Sequence, residues 1–258
     1  MKIIGSYPKT RLRRMRKSKW MRNLISENNI SQNDLILPIF IREGKNKTDI
    51  IKSMPGVKRY TIDQLPKLLK KVKNYKIPMI ALFPYISNKK KDNKGSESLN
   101  PNNLICKSLR MIKKKFPEIG VMCDVALDPY TSHGHDGLLK NKYVLNDETI
   151  KVLLDQSLLQ AQMGCDVLAP SDMMDGRIGE IRKSLDKNGF KMTQILSYAV
   201  KYASSYYGPF RDAVGSKNLL KGDKKSYQMD FKNSDEALRE VALDIKEGAD
   251  MVMVKPGL

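Results

Sequence analysis

Two lysines stand where a lysine is chemically unusual. Lys201 lies in the stretch SYAVKYASSYYGPFR, residues 197–211, with Ala199 and Val200 before it and Tyr202, Ala203 and Ser204 after it. Strand-forming residues run up to it and helix-compatible ones follow, so a strand ends there and a loop begins. Lys255 closes a second apolar run in MVMVKPGL, and Pro256 and Gly257 stop that strand. In a barrel of parallel strands, active sites are built at the carboxyl ends of the strands. Burial disfavours a charged amine, and two like charges close together lower each other's pKa. Each lysine would then make the other more nucleophilic, and a neutral amine attacks ketones to form a Schiff base. For Lys201 taken alone, the alternative is a packed stem with its ammonium head in water.

The strings around these lysines are long and specific. SYAVKYASSYYGPFRDAVGS, MVMVKPG, DVALDPYTSHGHDG at 124–137, APSDMMDGRIGEIR at 169–182 and YQMDFKNSDEALREV at 227–241 resemble porphobilinogen synthase, the delta-aminolevulinic acid dehydratase family. The resemblance covers residues 11–258. It implies a (β/α)8 TIM barrel with an N-terminal arm. It implies a hydro-lyase of heme and tetrapyrrole biosynthesis that joins two molecules of 5-aminolevulinate into porphobilinogen, with loss of two waters. Both lysines would form Schiff bases, Lys255 with the molecule that becomes the propionate side and Lys201 with the one that becomes the acetate side.

The same resemblance extends to the residues around them. Arg211 matches a substrate-carboxylate arginine and Gln228 a substrate-binding glutamine. Lys224, in GDKKSYQ, stands where many members have arginine; it offers a point charge rather than a two-pronged contact, and its alternative is a solvated loop lysine. Asp124 would serve at the mouth as a proton-transfer or amine-binding carboxylate, and Ser171 would hydrogen-bond substrate. Without the resemblance, a strand-end Asp or Ser often does no more than cap a helix.

Zinc-dependent members carry three cysteines between residues 124 and 137, and three thiolates plus water make an open catalytic zinc site. This chain has Ala126, Asp128 and Asp136 there. Alanine cannot ligate, and carboxylates suit magnesium better than zinc. No active-site zinc is expected. The pattern resembles the magnesium-responsive branch, where Asp128 and Asp136 would be polar or acid/base groups of a flexible lid. Cys123, one step from Asp124, should face the other way on a strand. Glu240 matches a glutamate that binds an allosteric magnesium, mostly through waters, at a subunit interface; the alternative is a solvated helix residue. His133 and His135 stay unassigned, since TSHGH also occurs in zinc members. The resemblance further implies a homo-octamer built from dimers, with the arm embracing a neighbour.

Composition narrows the field. The chain has 258 residues with 41% hydrophobic content, enough for one barrel. It lacks a run of about 18 apolar residues, so no membrane partner is expected, and its start lacks a secretory apolar core. Cys106, Cys123 and Cys165 are sparse and scattered, which suits a reducing cytoplasm. The net charge is +19 and the pI about 9.7, values that often point to nucleic acid. Here the lysines are spread along the chain among many Asn and Ile, and aromatics make up 7%. No nucleic-acid partner is expected.

The elements that must position these groups follow from periodicity. Apolar runs at 35–41, 79–85, 120–127, 166–171, 194–201 and 251–255 read as buried strands. Helices are expected at 62–74, capped by Thr61 in a capping box, at 104–116, at 147–164 and at 237–247, the last opened by Ser234 and ended by Gly248. Residues 86–103 read as an exposed loop and 218–225 as a basic lid. Strand–helix alternation argues for a parallel sheet. Residues 1–30 form a basic, extended arm and 31–258 an incomplete barrel. Six strands fall short of the family's eight, so the chain reads as C-terminally truncated, the last two strand–helix units missing together with a serine and a tyrosine that hold the second substrate's carboxylate. A non-catalytic remnant or partner subunit is the competing reading.

Overall fold

Apolar runs and amphipathic helices alternate along the chain, and they assemble as strand-then-helix units around a mostly parallel sheet. A computed structural model of the protein describes residues 4–216, 219–220 and 222–257. Its strands are β1 (Ile36–Arg42), β2 (Thr48–Ile50), β3 (Lys58–Thr61), β4 (Met79–Tyr85), β5 (Gly120–Val125), β6 (Leu139–Lys140), β7 (Tyr143–Val144), β8 (Val167–Pro170), β9 (Gln194–Lys201) and β10 (Met251–Lys255). Its helices are α1 (Lys19–Leu24), α2 (Leu65–Asn74), α3 (Leu104–Lys115), α4 (Asn146–Gln162), α5 (Arg177–Lys187), α6 (Gly208–Val214) and α7 (Ser234–Glu247).

The main sheet runs β10-β9-β8-β5-β4-β1-β3-β2. From β10 through β1 every pairing is parallel. β3 adds in parallel to the end of β1, and β2 turns back against β3. These are the barrel strands read from the sequence, with boundaries shifted by a residue or two. The hairpin β2–β3 and the small ribbon β6–β7 were not legible there. Among the described residues, β10 has no partner on its outer edge, and a groove of about 470 Å³ opens beside it, lined by Phe40, Phe83, Met122, Tyr198 and Met253.

Alternation within each strand sorts side chains into two cores. Ile39, Ile41, Ile80, Leu82, Val121, Cys123, Leu168 and Ile195 face the helices. Phe40, Ala81, Phe83, Met122, Val167, Ala169, Leu196 and Tyr198 face the barrel interior. The helices answer with apolar stripes at helical spacing: Leu65, Leu69 and Val72 on α2, and Ile178, Ile181 and Leu185 on α5, are all buried.

Several local readings need correction. Thr61 precedes its helix without capping it; its hydroxyl is taken by the backbone of Lys47 instead, donating to the carbonyl and accepting from the N–H. The segment 86–103 is not simply exposed, because Ile86, Lys91, Ser98 and Asn103 are buried. The arm is exposed as expected, yet it folds into a 3₁₀ turn at Leu12–Arg16 and the short helix α1 rather than staying extended. Part of the basic lid, at 218 and 221, lies outside the described residues.

One buried cation ties the helical layer to the sheet. Arg177, 2% exposed at the start of α5, ion-pairs with Asp172 at 3.6 Å and with Asp244 of α7 at 3.4 Å. It also donates to the Ser197 hydroxyl of β9, and that hydroxyl donates to Asp244 at 2.5 Å. Removing one member of such a set leaves buried charge without compensation. Arg177→Leu is therefore expected to destabilise the fold by about 3–5 kcal/mol, read as a lower urea midpoint with an unchanged slope.

Candidate active site

Lys201 and Lys255 are register partners on neighbouring parallel strands. Their alignment depends on an irregularity. Leu196 faces Met251, but Lys201 faces Lys255, so β9 carries one more residue than β10 between the two pairings. Strict alternation would put odd-numbered Lys201 on the helix-facing side, opposite Leu196 and Tyr198. The extra residue reverses the parity, as a bulge does, and both amines point into the barrel mouth. Strands lie about 4.8 Å apart, so the two lysines are immediate neighbours.

The two amines have different surroundings. Lys201 is 7% exposed. Its Nζ donates to the carbonyl of Ser171 and sits 3.3 Å from Asp136. Burial works against its charge, but Asp136, Asp128 and Asp124 outweigh it and hold the amine above its ordinary value. The expectation that both lysines would be depressed is thus corrected for Lys201. Lys255 behaves as expected: burial, helped by Lys201, brings it down to about 8 against the pull of the same carboxylates. Its Nζ lies 4.3 Å from the Phe210 ring centre, 5.0 Å from Tyr198 and 5.7 Å from Tyr207. Tyr207 also donates its hydroxyl to the Lys255 carbonyl at 2.9 Å. An aromatic wall of this kind favours a cation over the ring faces.

The acidic groups divide in the same way. Asp124, on β5, shares parity with Met122 and points inward, while Cys123 beside it is buried among the helix-facing residues. Asp124 accepts the Ser171 hydroxyl at 2.6 Å. Burial and the nearby Asp128 push it up to about 6, against Ser171 and both lysines. Asp136 goes the other way. Burial would raise it, but Lys201, Lys224 and the Tyr227 hydroxyl, donating at 2.8 Å, hold it well below the carboxylate range.

Lys224 is buried, not a solvated loop lysine, and pairs with Asp136 at 2.7 Å and Asp128 at 3.5 Å. Gln228 is buried beside it with its Oε1 unpartnered. Arg211 lies half-buried on α6. Asp124, Asp128, Ser171, Lys201, Arg211, Lys224, Gln228 and Lys255 all line one cavity. Its free space is about 20 Å³, room for a water molecule, and Lys255 and Phe210 also line the larger groove beside β10.

Glu240 is not part of this mouth. It sits half-buried on α7, on a separate polar cavity of about 390 Å³ with Asn146, Asp175, Asp230 and Glu236. Burial raises its pKa, and Asp244, Asp175 and Glu236 add to the rise against Arg177. The positions that carry cysteine in zinc-dependent proteins do not fit zinc here. Ala126 has no donor, and Asp128 and Asp136 are engaged by buried lysines. His135 meets the Tyr227 hydroxyl at 3.2 Å, which places the histidine loop behind Asp136. The sequence reading missed Tyr198, Tyr207, Phe210 and Tyr227; the density of aromatics in SSYYGPF after Lys201 is the signal that could have found two of them.

Comparison with known proteins identifies the family. The family model described as delta-aminolevulinic acid dehydratase matches residues 9–258. A delta-aminolevulinic acid dehydratase of Bradyrhizobium diazoefficiens is 58% identical over 248 residues, covering 96% of this chain and 70% of that protein. One of Chlamydia pneumoniae is 50% identical, covering 95% and 74%. The crystal structure of the Toxoplasma gondii enzyme in complex with its reaction product porphobilinogen superposes with a TM-score of 0.93 at 44% identity, over 99% of this chain and 72% of that one.

The ion pairs of the mouth predict a specific sensitivity. Asp136→Asn leaves Lys201 and Lys224 buried with less compensation, and is expected to cost about 3–5 kcal/mol in urea unfolding. Losing the carboxylate also lowers the Lys201 pKa, so amine labelling of Lys201 should begin at lower pH than in the parent protein.

Proposed function

We infer that this chain, which belongs to the delta-aminolevulinic acid dehydratase family, condenses two molecules of 5-aminolevulinate to porphobilinogen. This is a lyase reaction of heme and tetrapyrrole biosynthesis. The observation that carries the reading is the register of Lys201 and Lys255, two amines side by side at the ends of β9 and β10. Both substrates are ketones, and the reaction needs each held as an electrophile next to the other.

The environments suggest an order of events. Lys255, brought down to about 8, attacks the ketone carbon of one substrate; the carbonyl oxygen leaves as water and the nitrogen becomes an iminium. The aromatic wall of Phe210, Tyr198 and Tyr207 suits that cation. Lys201 starts protonated and must hand its proton away before it can attack the second ketone. Asp124, near half-ionised at pH 6, is placed to take and return protons at the mouth, with Ser171 orienting it. The substrate carboxylates are received by Arg211 and Lys224, while the unpartnered Gln228 Oε1 can accept a hydrogen bond from a substrate amine. As a carboxylate arrives, it takes over from Asp128 and Asp136 as the partner of Lys224, and those aspartates become free for acid–base work. In this reading Lys255 holds the propionate-side molecule and Lys201 the acetate-side one.

We propose magnesium as the metal, held by Glu240 mostly through waters, since no three His, Cys, Asp or Glu side chains are placed to hold an ion directly among the described residues. Burial raises the pKa of Glu240, and the carboxylates of Asp244, Asp175 and Glu236 raise it further; a hard cation that keeps most of its water shell would relieve that repulsion. Its contribution when bound would be to order that cavity, which also includes Gln228. We further propose a cytoplasmic homo-octamer in which the exposed arm at the N-terminus grips a neighbouring subunit.

The test is borohydride trapping of the purified chain with 5-aminolevulinate, followed by peptide mapping. Adducts are expected on Lys255 and Lys201. The Lys255 yield should climb as pH rises through about 8, because the amine is neutral and reactive above its pKa, and Lys201 should need a higher pH. No adduct on either lysine, with another family enzyme trapped in parallel, would overturn the reading in favour of a non-catalytic member.

A further inference from the structure

The short helix α6 carries two groups of the mouth, Phe210 against Lys255 and Arg211 beside it, yet it has seven residues. A helix that short does not hold itself together in water, and its position must be imposed from outside. Phe210 anchors one face by packing edge-on against Phe83 at 5.1 Å and near Phe40 at 6.0 Å. The carboxyl end is held by a cluster outside the mouth. Arg59, from β3, donates through Nη2 to the Asp212 carbonyl at 2.5 Å and through Nε to the Ala213 carbonyl at 2.7 Å. The Asp212 carbonyl also accepts the Gly215 N–H at 3.1 Å, while the Ala213 carbonyl is one of those a helix end leaves without a helical partner; a cation there also meets the negative end of the helix dipole.

Four further contacts lock the same spot. The Arg59 guanidinium stacks on Tyr85 of β4, 4.6 Å from the ring centre. Tyr85 in turn fills the space over Gly215, where a Cβ would come within 2.5 Å of the ring. Gly215 ends α6 with φ +72°, so the glycine is needed both for the turn and for the ring. Ser53 donates its hydroxyl to the Asp212 carboxylate at 2.6 Å, and the buried Lys91 reaches the Gly215 carbonyl at 3.4 Å.

We propose that Arg59 is a positioning residue for the reaction: by clamping the last carbonyls of α6 to the β2–β3 hairpin, it holds Phe210 and Arg211 closed over Lys255. The clamp works through geometry, since Arg59 does not line the cavity that holds the two lysines. A lysine in its place would keep the charge but not the fork that spans two carbonyls. Lys255 already borders the open groove beside β10 on one side; when the clamp is released, α6 slackens, Phe210 withdraws from the amine on the other side, and the remaining desolvation that lowers its pKa is relieved. The proposal rests on the two-lysine reading for its meaning, but its test does not require turnover.

The experiment is peptide-resolved reductive methylation with formaldehyde and cyanoborohydride across pH, on the parent chain, Arg59→Lys and Arg59→Gln, with melting curves alongside. In the variants the Lys255 labelling midpoint should move upward by about one pH unit, as expected when a buried amine is rehydrated. The Lys201 midpoint should stay in place. Where product formation is measurable, KM for 5-aminolevulinate should rise about tenfold, the loss expected for about 1.4 kcal/mol of substrate positioning. A Lys255 midpoint unchanged in Arg59→Lys, whether or not the melting temperature falls, would overturn the proposal and leave Arg59 as a helix cap. Arg59→Lys keeps the test open if Arg59→Gln fails to fold. A parent chain that labels normally but forms no 5-aminolevulinate adduct would count against the functional reading and not against the clamp.

Discussion

Two amines on adjacent strand ends repel each other, and the mouth of this barrel is organised around that repulsion. It is resolved by making the pair unequal. Asp136, Asp128 and Asp124 gather on the Lys201 side and keep that amine charged. Among the described residues Lys255 has no carboxylate in contact, and burial together with the neighbouring Lys201 takes away much of its basicity. The same three aspartates act on both lysines, so the difference comes from contact. Lys201 has a carboxylate at 3.3 Å and a carbonyl on its nitrogen, whereas Lys255 has ring faces. A chemistry that needs two Schiff bases in sequence is served by amines that differ, because one is ready first.

The barrel supplies this arrangement cheaply in chain terms. Asp124, Ser171, Lys201 and Lys255 come from the ends of successive sheet neighbours β5, β8, β9 and β10. Each needs no more than its strand to reach the mouth. The remaining groups arrive from loops and from α6, and those parts are fastened to the sheet by side chains and short bridges: α6 by Arg59 of β3 and the Phe210 packing, the segment at Met229 by backbone bonds to the end of β9. Lys224 is kept in place by Asp136 and Asp128, and these same pairs fill the space that a substrate would occupy. On the proposed function, closure of the ligand-free mouth and binding of a carboxylate would be one equilibrium, with protein and substrate carboxylates competing for one cation.

The sheet was largely legible in the sequence because each barrel strand is a bounded apolar run, LILPIFI and MIALFPY among them. The hairpin β2–β3 was not, since TDI and KRYT are short and polar and are held by the edge of β1. The lysines, Asp124 and Ser171 were found from their place after such runs and from family-specific strings. The charge state of Lys201 was out of reach because it depends on Asp136, distant in the chain and brought in by a loop. Lys91 shows the same limit: within NKKKDNK it looks like one more solvated lysine, yet it is buried against Gly215 and Asp128. Thr61 had the residues of a capping box, but the backbone of Lys47 competed for its hydroxyl and won.

The extra residue in β9 has a consequence for how such a site can arise. On a regular strand, exchanging one residue type for another never changes which side a position faces. Lys201 reaches the mouth because the strand before it has been lengthened by one step relative to its neighbour. A lineage could therefore acquire or lose this amine's orientation by a three-base insertion or deletion, with the composition of the strand left almost as it was. Substitution-based scoring of relatives would pass over such an event, because the lysine would still be present and only its phase would have changed.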